Sequence, residues 1–217
     1  MLSRYLTIAT LSLLVACTDE ISVVEEVVAA DSRTVPEDIV QVNPVQDVPK
    51  RAKPYAHYCL LANNPSRECA LTEQESAWDM FAQSPYAKGL RQFTDSTGKW
   101  LAQSHCSHLG SFQPFNPDWS MRCGIIYSEL LQKNNNFGSY CLNRKIAEAE
   151  YNGGAWIVWE MQFSNNNLVK AEQICGKVLL NNGRKRAKWA CKENYGYFVH
   201  ISRRQPKYES LGGTFCP

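Results

Sequence analysis

The chain has 217 residues, 23 Lys and Arg against 21 Asp and Glu, and a formal net charge of +2. So small a total hides an uneven distribution of charge along the chain, and the aromatic content (six Trp, eight Phe, ten Tyr) excludes a chain that is unstructured throughout. Nine cysteines, an odd number, raise a pairing problem that the amino terminus addresses first.

Residues 1–16 contain a basic start (Arg4), an apolar run from Tyr5 to Val15 and a small residue, Ala16, just before Cys17. This is the layout of an export signal, too short to stay in a bilayer as a spanning helix. The stretch "LVAC" (14–17) resembles the lipobox of bacterial lipoproteins, which implies cleavage before Cys17 and acylation of that cysteine. Thr18, rather than Asp, after the cysteine favours the outer membrane, with the domain facing the periplasm or the cell surface. Residues 17–54 then read as a lipidated flexible tether: positions 18–50 hold eight acids and two bases, a net of −6, while the remainder of the chain is basic. A globular domain is expected over 55–217, a normal size for one core, with eight cysteines left to pair.

Within that domain, Thr72 and Glu75 of "TEQESAWDMFAQ" have the spacing of a capping box and predict a helix start ahead of Trp78 and Phe81. Next come two similar segments. "WLAQSHCSHLGSF" (100–112), "WSMRCGIIYSELL" (119–131) and "FGSYCL" (137–142) are followed by "AWIVWEMQF" (155–163), "VKAEQICGKVLL" (169–180) and "AKWACK" (187–192). Each reads as strand, helix, strand. The last element, "YGYFVHIS", alternates in strand fashion. The fold expected is therefore α+β, a disulfide-stabilised domain with two strand-helix-strand units packed on a largely antiparallel sheet. Helical spacing puts Cys123 and Cys175 on buried faces over the following strands, predicting Cys123–Cys141 and Cys175–Cys191 bridges. Cys59–Cys69 and Cys106–Cys216 are the simplest completion among the 105 possible pairings.

The chemistry-bearing candidates are few. His105, Cys106 and His108 ("HCSH") suit a zinc ion by residue type, but lack a second ligand pair and are better read as a bridged cysteine with two surface histidines. On a sheet, Trp156, Glu160, Phe198 and His200 would share an open face, giving a carboxylate, an imidazole and two aromatics for acid/base chemistry or for stacking on a sugar. Arg184, Lys185, Arg186 and Lys188 form a basic cluster suited to anionic lipid head groups or acidic proteins rather than nucleic acid. The signatures H-E-x-x-H, G-x-S-x-G, G-x-x-x-x-G-K and C-x-x-C are absent, and no cofactor or metal is implied.

"WIVWEMQFSNNNLVKAEQICGKVLL" (156–180) is similar in layout to the start of a SPOR domain, a resemblance that implies peptidoglycan binding on a sheet face. The mature domain shows no stronger family signature. The leading expectation is thus a non-enzymatic envelope lipoprotein that binds a macromolecular partner, as an assembly component or an immunity or inhibitor protein. A peptidoglycan-binding lipoprotein and a cell-wall hydrolase using Glu160 with His200 are the alternatives.

Overall fold

A computed structural model describes residues 45–177 and 187–216; the segment 1–16, Cys17 and most of the proposed tether lie outside them. Eight α-helices are described: α1 (Ala56–Cys59), α2 (Pro65–Ser76), α3 (Asp95–Gln103), α4 (Pro117–Asn134), α5 (Tyr140–Gly153), α6 (Trp156–Phe163), α7 (Leu168–Cys175) and α8 (Lys188–Arg204). Two 3₁₀ segments, Ser107–Leu109 and Gln205–Leu211, complete the order. Among the described residues there is no strand, only two isolated bridges joining Gln83, Lys88 and Phe93. The expected α+β sheet fold is therefore replaced by an all-helical one.

The reason is visible in the segments misread as strands. "WIVWEMQF" is apolar on nearly every side, so its pattern cannot separate period 2 from period 3.6. As helix α6 it buries Ile157, Glu160 and Met161, at helical spacing, and leaves Trp159 and Phe163 in solvent. "YGYFVHIS" belongs to α8, whose positions 191, 194 and 195 face one cluster while Tyr197 and Ile201, four apart, face another. Residues 100–112 hold the end of α3 and a 3₁₀ turn, and "FGSYCL" runs into α5, where Ser139 accepts from Leu142 N–H at 3.2 Å. The layout behind the SPOR resemblance disappears with the sheet.

Helix α2 is the axis of the fold. It begins at Asn64, whose side chain accepts from Arg67 N–H at 3.3 Å, with Pro65 in the first turn. The presumed capping box therefore marks the end of this helix, not its start: Thr72 Oγ1 donates to Glu68 O at 2.9 Å within the helix. Ala77 (φ 50°) and Trp78 (φ 67°) then turn the chain through two consecutive left-handed non-glycine residues, a conformation costing on the order of 1–3 kcal/mol per residue. Ser76 Oγ accepts from Trp78 N–H at 3.2 Å, and Trp78 Nε1 donates to Tyr208 Oη at 2.7 Å, holding the turn against the 205–211 segment.

Around α2 lies one apolar cluster, built with Leu71, Trp78, Leu90, Met121, Ile201 and Tyr208. Val48 and Ala52, upstream of residue 55, are buried in it. A second cluster packs α5 to α8 around Ile146, Ile157, Met161 and Tyr195, and a third joins Phe93, Leu101 and Trp119 between α3 and α4.

All eight remaining cysteines are bridged, as Cys59–Cys69, Cys106–Cys123, Cys141–Cys216 and Cys175–Cys191. Two of the expected pairs are present. The Cys123–Cys141 and Cys106–Cys216 pairs are not, and with them goes the duplication argument, because α4 lies back on the turn after α3 rather than over a following strand. Cys141–Cys216 closes the longest loop, a separation of 75 residues, and ties the carboxy-terminal segment to the start of α5. In the chain-entropy treatment, replacing both cysteines by Ala should cost about 4 kcal/mol, read as a lower urea midpoint at unchanged slope.

Candidate active site

Below α2 runs a buried ionic layer. Arg67 forks onto Glu148 through Nε (2.5 Å to Oε1) and Nη2, and Arg144 reaches Glu148 at 3.2 Å and Glu68 Oε1 at 2.6 Å. Glu68 Oε2 accepts from Arg91 Nη2 at 2.9 Å, and Ser128 Oγ donates to Oε1 at 2.7 Å. All five charged side chains are at least 96 % buried, so the pairing is obligatory rather than ornamental. Burial pushes the Glu68 pKa up, but Arg91, Arg144 and the hydrogen bonds outweigh it and hold the carboxyl below its ordinary value.

Arg91 is positioned by further partners. It donates to Thr72 Oγ1 (3.2 Å) and to Gly124 O (3.1 Å), and its guanidinium lies 5.4 Å from the Tyr151 ring centroid. Tyr151 Oη donates to the Arg91 carbonyl at 2.9 Å. Gly124 is required here: a Cβ at that position would come within 2.5 Å of Arg91 Nε.

One turn beyond Thr72, Glu75 stands apart from this ion-paired layer. It sits in the last turn of α2, keeps partial solvent access, and accepts a short hydrogen bond from Tyr197 Oη of α8. Burial raises its pKa to about 7, against the lowering effects of the Tyr197 hydrogen bond and the charge on Arg91. The carboxy-terminal end of a helix dipole acts in the same direction as burial, disfavouring the anion. Burial also lifts the Tyr197 pKa well above the phenol range, with the Glu75 charge adding to it, so Tyr197 is a neutral donor at any physiological pH. Tyr151, half-buried like Glu75, likewise has its pKa raised by burial.

The other carboxylate in this last turn is occupied. Glu73 accepts from Lys207 Nζ at 2.5 Å and from Tyr208 Oη at 2.7 Å. Glu75 is thus the carboxyl group of α2 that is partly accessible, lacks a counter-ion contact and titrates near neutrality, the combination that proton transfer at pH 7 requires.

The residues singled out by sequence lie elsewhere. Glu160 is fully buried in α6 and accepts from Tyr195 Oη at 2.7 Å, whereas His200 is exposed on α8, so the two share no open face. Trp156 donates through Nε1 to Gly153 O, and Phe198 lies under Lys145 Nζ, 4.6 Å from the ring centroid. Lys188 is the exposed first residue of α8; Arg184, Lys185 and Arg186 lie outside the described residues. Cys106 is bridged, and His105 packs edge-on against Trp100 at 5.3 Å between centroids.

The capping-box pattern gives Glu75 only a structural role. The overlooked signal is in the same five letters, "TEQES": two acids in the last turn of a helix with no basic residue to complement the dipole there. An acid kept where it is electrostatically disfavoured is a candidate for function.

An all-helical domain that holds one carboxyl group near neutrality beside a neutral phenol donor has the equipment of an acid/base enzyme acting on uncharged bonds. Its family is given by a match to the transglycosylase SLT domain over residues 61–174, more than half of the 217-residue chain, and the chain belongs to that family. Comparison with curated proteins found no match. The family membership overturns the non-enzymatic binding protein expected above, and the absence of a family for the mature domain. A cell-wall-cleaving activity, held there as an alternative, fits better.

Proposed function

We propose that this protein cleaves the glycan strands of peptidoglycan by transglycosylation, with Glu75 as both acid and base. The observation that carries the reading is the Glu75 carboxyl, which has a pKa of about 7 and lies within the matched segment. Protonated Glu75 donates to the glycosidic oxygen as the C–O bond breaks, and the leaving sugar departs with that proton. The resulting carboxylate then takes the proton of an acceptor hydroxyl as its oxygen bonds to the anomeric carbon, which returns Glu75 to its starting state. Two-carboxylate glycosidases divide these tasks, but Glu68 and Glu73 are both tied to cations. One carboxyl serving twice suits an acceptor supplied by sugar rather than a water activated by a second base.

Incubation of purified sacculi in ¹⁸O-labelled water tests this directly. Soluble fragments should appear without incorporated ¹⁸O at the cleaved anomeric carbon. Fragments carrying one labelled oxygen would make the protein a hydrolase, and intact sacculi would remove the activity.

Tyr197 acts as a positioning residue through Glu75. Since its hydrogen bond favours the charged form, Tyr197→Phe should move the alkaline limb of the pH–rate profile upward by roughly one unit. A merely structural role would lower the rate at every pH and leave the limb in place.

The export signal and "LVAC" support placing the mature chain on a lipid anchor at Cys17, on the periplasmic or outer face of the outer membrane, with the wall within reach of its tether. Mass spectrometry of the membrane-extracted protein should show an acylated amino-terminal Cys17, and an unmodified thiol there would refute the anchor.

A further inference from the structure

Among the exposed large apolar side chains of the described residues, one group lies on consecutive helices. Four large apolar side chains, Trp159 (49 % exposed), Phe163 (69 %), Val169 (64 %) and Trp189 (72 %), are exposed on the consecutive helices α6, α7 and α8. Trp159 and Phe163 stack at 5.3 Å along α6, forming a continuous ridge. The α6–α7 turn that follows is made by Asn165 (φ 55°) and Asn166 (φ 61°), so Phe163 and Val169 flank the tip of a helical hairpin. Leu168 and Trp189 line one shallow concavity, and Val169 and Lys188 line its neighbour, of about 600 Å³; Lys192 borders both. Helices α7 and α8 together line both concavities, and the α6 ridge ends at the hairpin tip from which α7 starts.

The charge there is mainly basic. Lys177, Lys188 and Lys192 line the concavities together with Glu172, Arg203 borders one of them with Glu193, and Lys170 is exposed on α7 nearby in sequence. Apolar ridge, tryptophans and lysines together match the interfacial zone of an anionic bilayer, where rings settle among head groups and lysines meet phosphate. No helix among the described residues is long and apolar enough to cross a membrane, so such attachment is peripheral. Charge complementarity favours lipid over a neutral glycan, for which lysines offer little.

We propose that the α6–α8 surface docks on an anionic lipid membrane, inserting Phe163, Val169, Trp159 and Trp189 at the interface. This contact is independent of acylation at Cys17. It holds the domain in a fixed orientation rather than only on a leash.

The full-length protein, mixed with vesicles of phosphatidylglycerol and phosphatidylethanolamine whose acyl chains are brominated, gives the test through tryptophan quenching. The wild type should be quenched, and Trp159→Phe/Trp189→Phe, which keeps the apolar ridge but removes both reporters, should lose most of that quenching. Lys188→Glu/Lys192→Glu, two exposed changes, should lower partition by about tenfold or more, with the far-UV spectrum confirming the fold. Equal quenching of wild type and double Trp variant, or equal quenching on phosphatidylcholine alone, would overturn the proposal. So would a tryptophan spectrum that responds to soluble glycan fragments and not to vesicles. Failure of the glycan-cleavage reading would be seen separately, with sacculi in the absence of lipid.

Discussion

Glu75→Gln should lower glycan release from sacculi by about 10³-fold or more while leaving sedimentation with sacculi intact, because the amide keeps the shape and the Tyr197 hydrogen bond but has no proton to give. The wild-type rate should follow the protonated fraction of a group with a pKa of about 7. It should be flat on the acid side and fall about tenfold between pH 6 and pH 8. The same variant has an opposite effect on stability. The folded carboxyl holds its proton from its ordinary value of 4.5 up to about 7, whereas the unfolded chain releases it over that range. The folded state therefore binds more protons, and stability declines as pH rises through the window. Glu75→Gln removes that penalty. Allowing for partial exposure, it should be more stable than wild type by about 2 kcal/mol at pH 8 and by almost nothing at pH 4.5, measured by urea unfolding. A variant that loses activity and also loses stability at pH 8 would contradict the assignment of Glu75 as an acid whose pKa the fold raises.

Glu68→Ala should be the most damaging substitution for folding. It strips the carboxylate from both Arg91 and Arg144 in a region closed to water, and uncompensated buried charge of this kind costs about 3–5 kcal/mol. Lys207→Ala, which removes a half-exposed partner from Glu73, should change stability by less than about 1 kcal/mol. The depressed Glu68 pKa also sets the acid side of the stability profile. Its contribution is complete above the unfolded value of 4.5 and is lost as pH falls through the lower folded value. Glu75 erodes stability in the other direction, so the two carboxylates of one helix pull the stability profile in from opposite sides of the pH scale.

How much of this could be read beforehand depended on whether a local pattern had a single meaning. Helix α4 was legible because Trp119, Cys123, Ile126, Tyr127 and Leu130 recur at helical spacing. The Cys175–Cys191 bridge was expected from a buried helical thiol over a following strand, and it is present although that strand is helix α8, while Cys59–Cys69 was the simplest completion. Cys141–Cys216 spans 75 residues, a proximity that only tertiary packing creates. Helices α6 and α8 were misread because aromatic and β-branched residues favour strands locally, and the burial that makes them helical comes from α5 and α2. Asn64–Pro65 was the true start of α2, but Thr72–Glu75 offered a second, equally well-formed start signal inside the same helix. Accepting it assigned the reactive acid to a structural role. The ionic layer escaped notice for a different reason: Arg67, Glu68, Arg91, Arg144 and Glu148 are scattered charges that look solvent-facing until five buried contacts are seen at once.

The hydrogen bond from Tyr197 to Glu75 joins residues 122 positions apart, and Tyr197 lies beyond the segment matched by the family. During synthesis the acid leaves the ribosome long before the phenol that tunes it, and Cys216, which bridges back to Cys141, follows later still. A chain shortened to the family boundary would carry Glu75 without the Tyr197 hydrogen bond. The pH response expected of Glu75 therefore depends on more than the matched segment, and is acquired only when α8 has been made and laid against α2.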